Sequence, residues 1–321
     1  MALSRREFLG GAALAPLAAR AFGAPASVPT RAFGRTGAQV SVIGFGGGTR
    51  FVSYQDEDEA LAVLGHAIDL GINYIDTAHS YGGGKSEERI GRLMAARRKD
   101  VFLATKLGAR KADDARRQLE LSLKRLRTDR LDVLHVHSLE SPEDLEAIEA
   151  RDGVLGVVME ARDQKITRFA GITGHAHPLA MKMALERHDF DCAQMALNAA
   201  RARMSFDDAG PRTHPMGDGS YEDLALPVAI AKKMGVIAMK VFGQDRLIGT
   251  APPEKLLYYA LSLPVSLTSL GMPRPELVDR NAELARGFRP LPEGEREKLR
   301  ASIAEPSRRA LAQYLRQHRD A

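Results

Sequence analysis

The stretch Ile72-Asn73-Tyr74-Ile75-Asp76-Thr77-Ala78-His79-Ser80-Tyr81-Gly82, with Ser86-Glu87-Glu88-Arg89-Ile90-Gly91 close behind, decides how the chain is read. A short apolar run ends in Asp76, a tight loop carries Tyr81 five positions on, and an acidic segment opens a helix. Ser86 suits an N-cap, with Glu87 and Glu88 stabilising the first turn through the helix dipole. The next apolar run, 101–105, is closed by Lys106, and the one after it, 131–136, by His137. An acid, a phenol, an ammonium and an imidazole thus gather around three consecutive strand ends.

The same rhythm continues along the chain. Short β-rich runs fall at 40–46, 72–76, 101–106, 133–137, 169–173, 192–197, 236–241 and 265–270, with segments of helical period between them. Such alternation argues for parallel strands with helical crossovers. Eight units predict a closed (β/α)8 TIM barrel. Helix punctuation agrees with this division. Segment 59–70 sets Leu61, Leu64, Ala67 and Ile68 on one face and stops at Gly71. Ser141-Pro142-Glu143-Asp144 reads as an N-cap, a proline in the first turn and an acidic start. Segment 275–286, closed by Gly287, is the last helix of the repeat. The polar stretch 201–220 follows the sixth strand and by position overhangs the active face. The barrel is expected over 27–289. A charged tail at 290–321 spaces Leu299, Ile303, Leu311 and Leu315 as a helix, free to pack on the barrel or to fray.

Asp76-Thr77-Ala78, Tyr81-Gly82, Ser86-Glu87-Glu88 and Ile90-Gly91, with Lys106 and His137 in that order, resemble the aldo-keto reductases over roughly residues 30 to 288. The resemblance implies a TIM barrel whose floor is plugged by a small hairpin around the turn cluster Gly34-Arg35-Thr36-Gly37. It also implies a catalytic set of Asp76, Tyr81, Lys106 and His137. Carbonyl reduction needs a hydride on carbon and a proton on oxygen, and a phenol of ordinary pKa ~10 donates poorly at neutral pH. A neighbouring ammonium, here Lys106, favours the phenolate; Asp76 would hold that ammonium, and His137 would donate to the substrate oxygen. His135, two residues before His137, would lie one layer deeper, as an interior histidine or as a second titrating group tuning His137.

The resemblance further implies NADP(H) as cofactor and a small-molecule carbonyl as substrate. Gly44-Phe45-Gly46-Gly47-Gly48 is not a dinucleotide fingerprint and reads as a close-approach loop beside nicotinamide or substrate, which puts Gly46 among the cofactor contacts. Gln194 matches a family glutamine that grips the carboxamide. Thr173-Gly174 stands where the family has Ser-Asn, so that contact is lost or passes to His175. Met239 replaces a stacking aromatic, and Lys240 is placed to pair with pyrophosphate. Gly271-Met272-Pro273-Arg274 leads into the last helix like the family's phosphate site, with Arg274 toward a 2′-phosphate and Asn281 toward adenine.

The 321 residues are 44% hydrophobic, enough for a sizeable core, and the single cysteine, Cys192, excludes an intrachain disulfide. Formal charge is +5, and without the first 26 residues, which hold Arg5, Arg6 and Arg20 against Glu7, it is +3. Charges are interspersed, as on solvated faces, and no nucleic-acid surface is expected. Ser4-Arg5-Arg6-Glu7-Phe8-Leu9-Gly10, a small-residue apolar stretch and Ala24-Pro25-Ala26 resemble a twin-arginine (Tat) signal over 1–26. That implies export by the Tat translocase to the periplasm with no stable membrane anchor, because the apolar stretch is too short to span. Two rival functions fit parts of the pattern. One is a non-catalytic NADP-binding barrel acting as sensor or partner subunit. The other is a metal-dependent barrel hydrolase, suggested by His135-Val136-His137 and His175-Ala176-His177, although the first strand ends in glycines where such enzymes place a histidine pair; no metal site is expected.

Overall fold

The computed structural model describes residues 27–201 and 219–318, so segment 1–26 and nearly all of the 201–220 loop lie outside the described residues. Strands β1 (Thr30–Ala32) and β2 (Gln39–Ser41) form an antiparallel hairpin. Strands β3 (Ile43–Gly46), β4 (Tyr74–Asp76), β5 (Phe102–Leu107), β6 (Leu131–Val136), β7 (Thr167–Gly174), β8 (Cys192–Ala196), β9 (Gly235–Met239) and β10 (Leu267–Gly271) follow. These eight are parallel and close into a barrel with β10 against β3, the architecture expected from the alternation.

The helices are α1 (Thr49–Val52), α2 (Glu57–Asp69), α3 (Lys85–Arg97), α4 (Ala112–Leu126), α5 (Pro142–Glu149), α6 (Val154–Asp163), α7 (Pro178–Arg187), α8 (Tyr221–Ala231), α9 (Pro253–Ser262), α10 (Pro275–Gly287), α11 (Glu293–Ser302) and α12 (Glu305–Gln317). Their apolar stripes face the strands, as in α2, where Val63, Leu64, Ala67 and Ile68 are buried. Helix α2 starts two residues before the expected Glu59, because Asp56 caps the amides of Asp58 and Glu59. The run 40–46 divides at Val42, whose amide turns back to the Pro29 carbonyl at 2.8 Å. Ser141 and Pro142 begin α5 as the sequence suggests.

The hairpin seals the floor with Phe33, which is fully buried against Tyr74, Phe102 and Phe169 at ring-centroid distances of 5.9, 5.2 and 6.5 Å. Burying one such ring is worth about 1.5–3 kcal/mol. Above that floor, Gly171 leaves room for His135: a methyl group placed there would lie 2.3 Å from His135 Nδ1. The tail packs rather than frays. Leu311 and Leu315 of α12 are buried, and the His175 ring meets the Leu315 carbonyl at 2.9 Å.

One expectation at the Tyr81 loop fails. Gly82, Gly83 and Gly84 take φ of 60°, 65° and 105°, a left-handed run that side chains disfavour. This run delivers the chain into α3 at Lys85, with Gly84 at the N-cap position, so Ser86 is not the cap. Ser86 is buried instead and shares a 2.7 Å hydrogen bond with Thr77. Glu87 is also buried in the first turn, where its carboxylate accepts from the Thr105 hydroxyl at 2.7 Å and burial pushes its pKa up.

Candidate active site

Strands β4, β5 and β6 deliver their last inward side chains to one rim, because Asp76 pairs with Ala104 and Lys106 with His135 in register. Lys106 is 1% exposed. Its ammonium lies 2.8 Å from Asp76 Oδ1, donates to the Thr77 carbonyl at 2.7 Å and reaches the Tyr81 hydroxyl at 3.4 Å. Two hydrogen bonds and the opposite charge of Asp76 together are how a lysine tolerates such burial. Asp76 Oδ2 accepts from Gln194 Nε2 at 2.9 Å and from Ser269 Oγ at 3.3 Å. The carboxylate is therefore pinned from β5, β8 and β10. Tyr81 and His137 meet edge to face with ring centroids 5.7 Å apart. All four residues named from the sequence stand together at the mouth, and Ser269 joins them. Its position two residues before Gly271 on an inward strand face was the available signal.

A cleft runs from Asp76 and Tyr81 past Gly46, Gln194 and Met239 to Gly271. Gln194 is buried and its Oε1 has no partner among the described residues. Gly48 lies flat against the Tyr81 ring, and a methyl there would sit 3.5 Å from it. Arg50 and Asp245 form an ion pair between the segments after β3 and β9, and both line the cleft with Phe242; none of the three was singled out from the sequence.

The remaining expected contacts lie in several settings. Thr173 does not line the cleft; its hydroxyl accepts from the Ser138 amide at 2.9 Å. His175 cannot replace it there, since its ring lies under the Leu315 carbonyl. Lys240 lines the cleft, but its ammonium meets the His318 ring at 3.0 Å, a contact created by the tail. Arg274 is exposed at the N-cap of α10, and Asn281 is buried further along that helix. His177 caps α7 by accepting from the Ala180 amide at 3.1 Å.

His135 is fully buried, and neither ring nitrogen has a partner among the described residues. Burial first, then the neighbouring Lys106 and His137, push its pKa well below the ordinary histidine range. At neutral pH it is an uncharged interior group, with no charge to lend to the tuning of His137.

Residues 42–207 match the model of the Aldo/keto reductase family. L-galactose dehydrogenase from Arabidopsis thaliana is 31% identical over 239 residues, covering 71% of this chain and 69% of that protein. D-threo-aldose 1-dehydrogenase from Pseudomonas sp is 27% identical over 305 residues, covering 78% and 90%. The crystal structure of an aldo-keto reductase from Klebsiella pneumoniae in complex with NADPH has the same fold, with a TM-score of 0.68 at 22% identity, over 87% of this chain and 96% of that one. With residues 42–207 matching the family model and a relative at 31% identity, this chain belongs to the aldo/keto reductase family.

Proposed function

We propose that the protein is an NADP(H)-dependent oxidoreductase that interconverts an aldehyde or ketone and its alcohol, with Tyr81 carrying the proton. The observation that carries this reading is the buried chain Asp76–Lys106–Tyr81, at 2.8 and 3.4 Å, opening on a cleft. The cleft suits a nicotinamide. The buried, unpartnered Gln194 Oε1 is an acceptor for a carboxamide N–H, and Gly46, Gly48 and Gly271 line the groove, where a methyl at Gly48 would sit 3.5 Å from the Tyr81 ring and one at Gly271 2.8 Å from the Arg50 side chain. Bound there, the cofactor supplies or accepts hydride.

The protein's own residues do the rest. Lys106 stabilises the charge that develops on the Tyr81 oxygen as its proton leaves. Asp76 keeps the ammonium aimed at that oxygen. His137, edge-on to Tyr81, donates to the substrate oxygen and orients the carbonyl. NADPH in the Klebsiella pneumoniae structure supports the choice of cofactor. At the far end, Arg274 at the N-cap of α10 and Asn281 along it would meet the 2′-phosphate and the adenine, and Lys240 would reach pyrophosphate once released from His318.

The test is NADPH oxidation with a panel of aromatic aldehydes and dicarbonyls, run beside Arg274→Ala. Turnover is expected, and Arg274→Ala should raise KM for NADPH by about tenfold, the size of one charge-assisted contact, while leaving NADH little changed. NADPH binding without any turnover would instead support the binding-only barrel. Equal effects on the two cofactors would remove Arg274 from the phosphate site.

We also propose that residues 1–26 direct export to the periplasm by the twin-arginine route, on the strength of Arg5-Arg6 and the Ala24-Pro25-Ala26 exit. Replacing Arg5 and Arg6 by lysine should retain the protein in the cytoplasm on cell fractionation, and an unchanged distribution would refute the assignment.

A further inference from the structure

We propose that Arg125, near the end of α4, is a positioning residue that holds the Tyr81 loop at its working distance from Lys106. The proposal rests on the reading of Tyr81 as proton donor. The loop from Ala78 to Lys85 is tied to β5 before Tyr81 by the bond from the His79 amide to the Lys106 carbonyl at 3.1 Å, and after Tyr81 it runs through three glycines. Gly82, Gly83 and Gly84 all lie in the left-handed region, and each such glycine loses more freedom on ordering than any other residue. Its internal hydrogen bonds include Tyr81 N to Ala78 O at 3.2 Å and Gly83 N to Ser80 O at 2.9 Å.

Arg125 supplies an external hold. Its side chain is only 15% exposed. Nη1 donates to the carbonyl of His79 at 3.2 Å, and Nη2 donates to the carbonyl of Gly83 at 3.0 Å. Those two carbonyls stand two residues before and two after Tyr81. The guanidinium also packs flat on Gly84, where a methyl group would come within 2.2 Å of Cζ. The same Nη1 lies 3.5 Å from Glu87 Oε2, and Glu87 Oε1 accepts from Thr105, the residue before Lys106. One planar fork therefore ties both shoulders of the Tyr81 loop to the strand that carries Lys106. The guanidinium reaches the two carbonyls from two nitrogens held in one plane, a geometry that the single nitrogen of a lysine at this position does not reproduce.

The other titratable groups facing it are Glu88, 3.9 Å from Nε, and the His79 ring, 3.5 Å from Nη1, whose pKa burial and then Arg125 push down. Neither reaches the cleft, so Arg125 acts on the chemistry only through the loop.

The test uses the full chain with Arg125→Lys and Arg125→Ala, followed by steady-state kinetics, NADPH titration and amide hydrogen exchange. Arg125→Lys keeps a cation beside Glu87 and so keeps the fold. It should lose about 10²-fold in kcat, the scale of a misplaced catalytic group, with KM for both substrates and NADPH affinity unchanged. Amides of residues 79–84 should exchange faster while those of β5 keep their protection. Free guanidinium should restore part of the kcat of Arg125→Ala and none in the parent. Parent-like kcat in Arg125→Lys, or protection lost evenly across the barrel, overturns the proposal. Tyr81→Phe is run in parallel. If it retains turnover, Tyr81 is not the donor and the catalytic half of the proposal falls with it, whereas the exchange data still decide whether Arg125 holds the loop.

Discussion

Tyr81→Phe should reduce kcat by about 10²–10⁴-fold, the usual span for a positioned proton donor, and leave NADPH affinity nearly intact. The substitution removes one oxygen and keeps the ring. The ring is 8% exposed and makes the edge-to-face contact with His137 at 5.7 Å, so phenylalanine fills the same space. What disappears is the hydroxyl that accepts from the Lys106 ammonium at 3.4 Å, the group proposed to carry the proton. Single-turnover kinetics beside a fluorescence titration of NADPH separate the two effects. If turnover persists, the proton comes from elsewhere, and His137, the next donor at the mouth, becomes the candidate.

Lys106→Met is the second large effect, and it should fall on folding as well as on turnover. Asp76 is 3% exposed, and the variant would leave its carboxylate with only Gln194 and Ser269 as partners. Removing one member of a buried ion pair costs about 3–5 kcal/mol, mainly because the other charge stays buried. Urea unfolding should show a loss of that size. The double variant Asp76→Asn/Lys106→Met removes the stranded charge and should recover most of the stability while remaining inactive. That pattern distinguishes a structural lysine from one that also serves chemistry. If the double variant regained turnover, Lys106 would have no role beyond neutralising Asp76. If Lys106→Met were as stable as the parent, the pair would not be buried as described.

The barrel and the four residues at its mouth were legible because they are written in local signals. Each β-rich run is bounded by turn residues, and a polar residue at a strand end is conspicuous against the apolar run before it. The inward position of Ser269 was readable but its partner was not, and Arg125 was not legible at all. Ser269 meets Asp76 only after β10 closes on β3, a contact spanning the whole barrel, and no local pattern reports closure. Arg125 sits on an ordinary amphipathic helix, and its role depends on how α4 approaches a loop some forty residues earlier. Ser86 failed for a different reason. It has the right chemistry for a cap, but three left-handed glycines start the helix one residue before it, and torsion angles of that kind leave only a weak trace in composition. The contacts of His175 and Lys240 were hidden because the tail that makes them is remote in sequence from both.

The chain enters the barrel at its sealed pole. The Val28 amide bonds to the Leu70 carbonyl at 2.9 Å, at the junction feeding β4, and Phe33 plugs the floor beside it. The first described residues therefore stand at the pole opposite the cleft, so the two ends of the barrel divide the work: one closes the core and the other stays open.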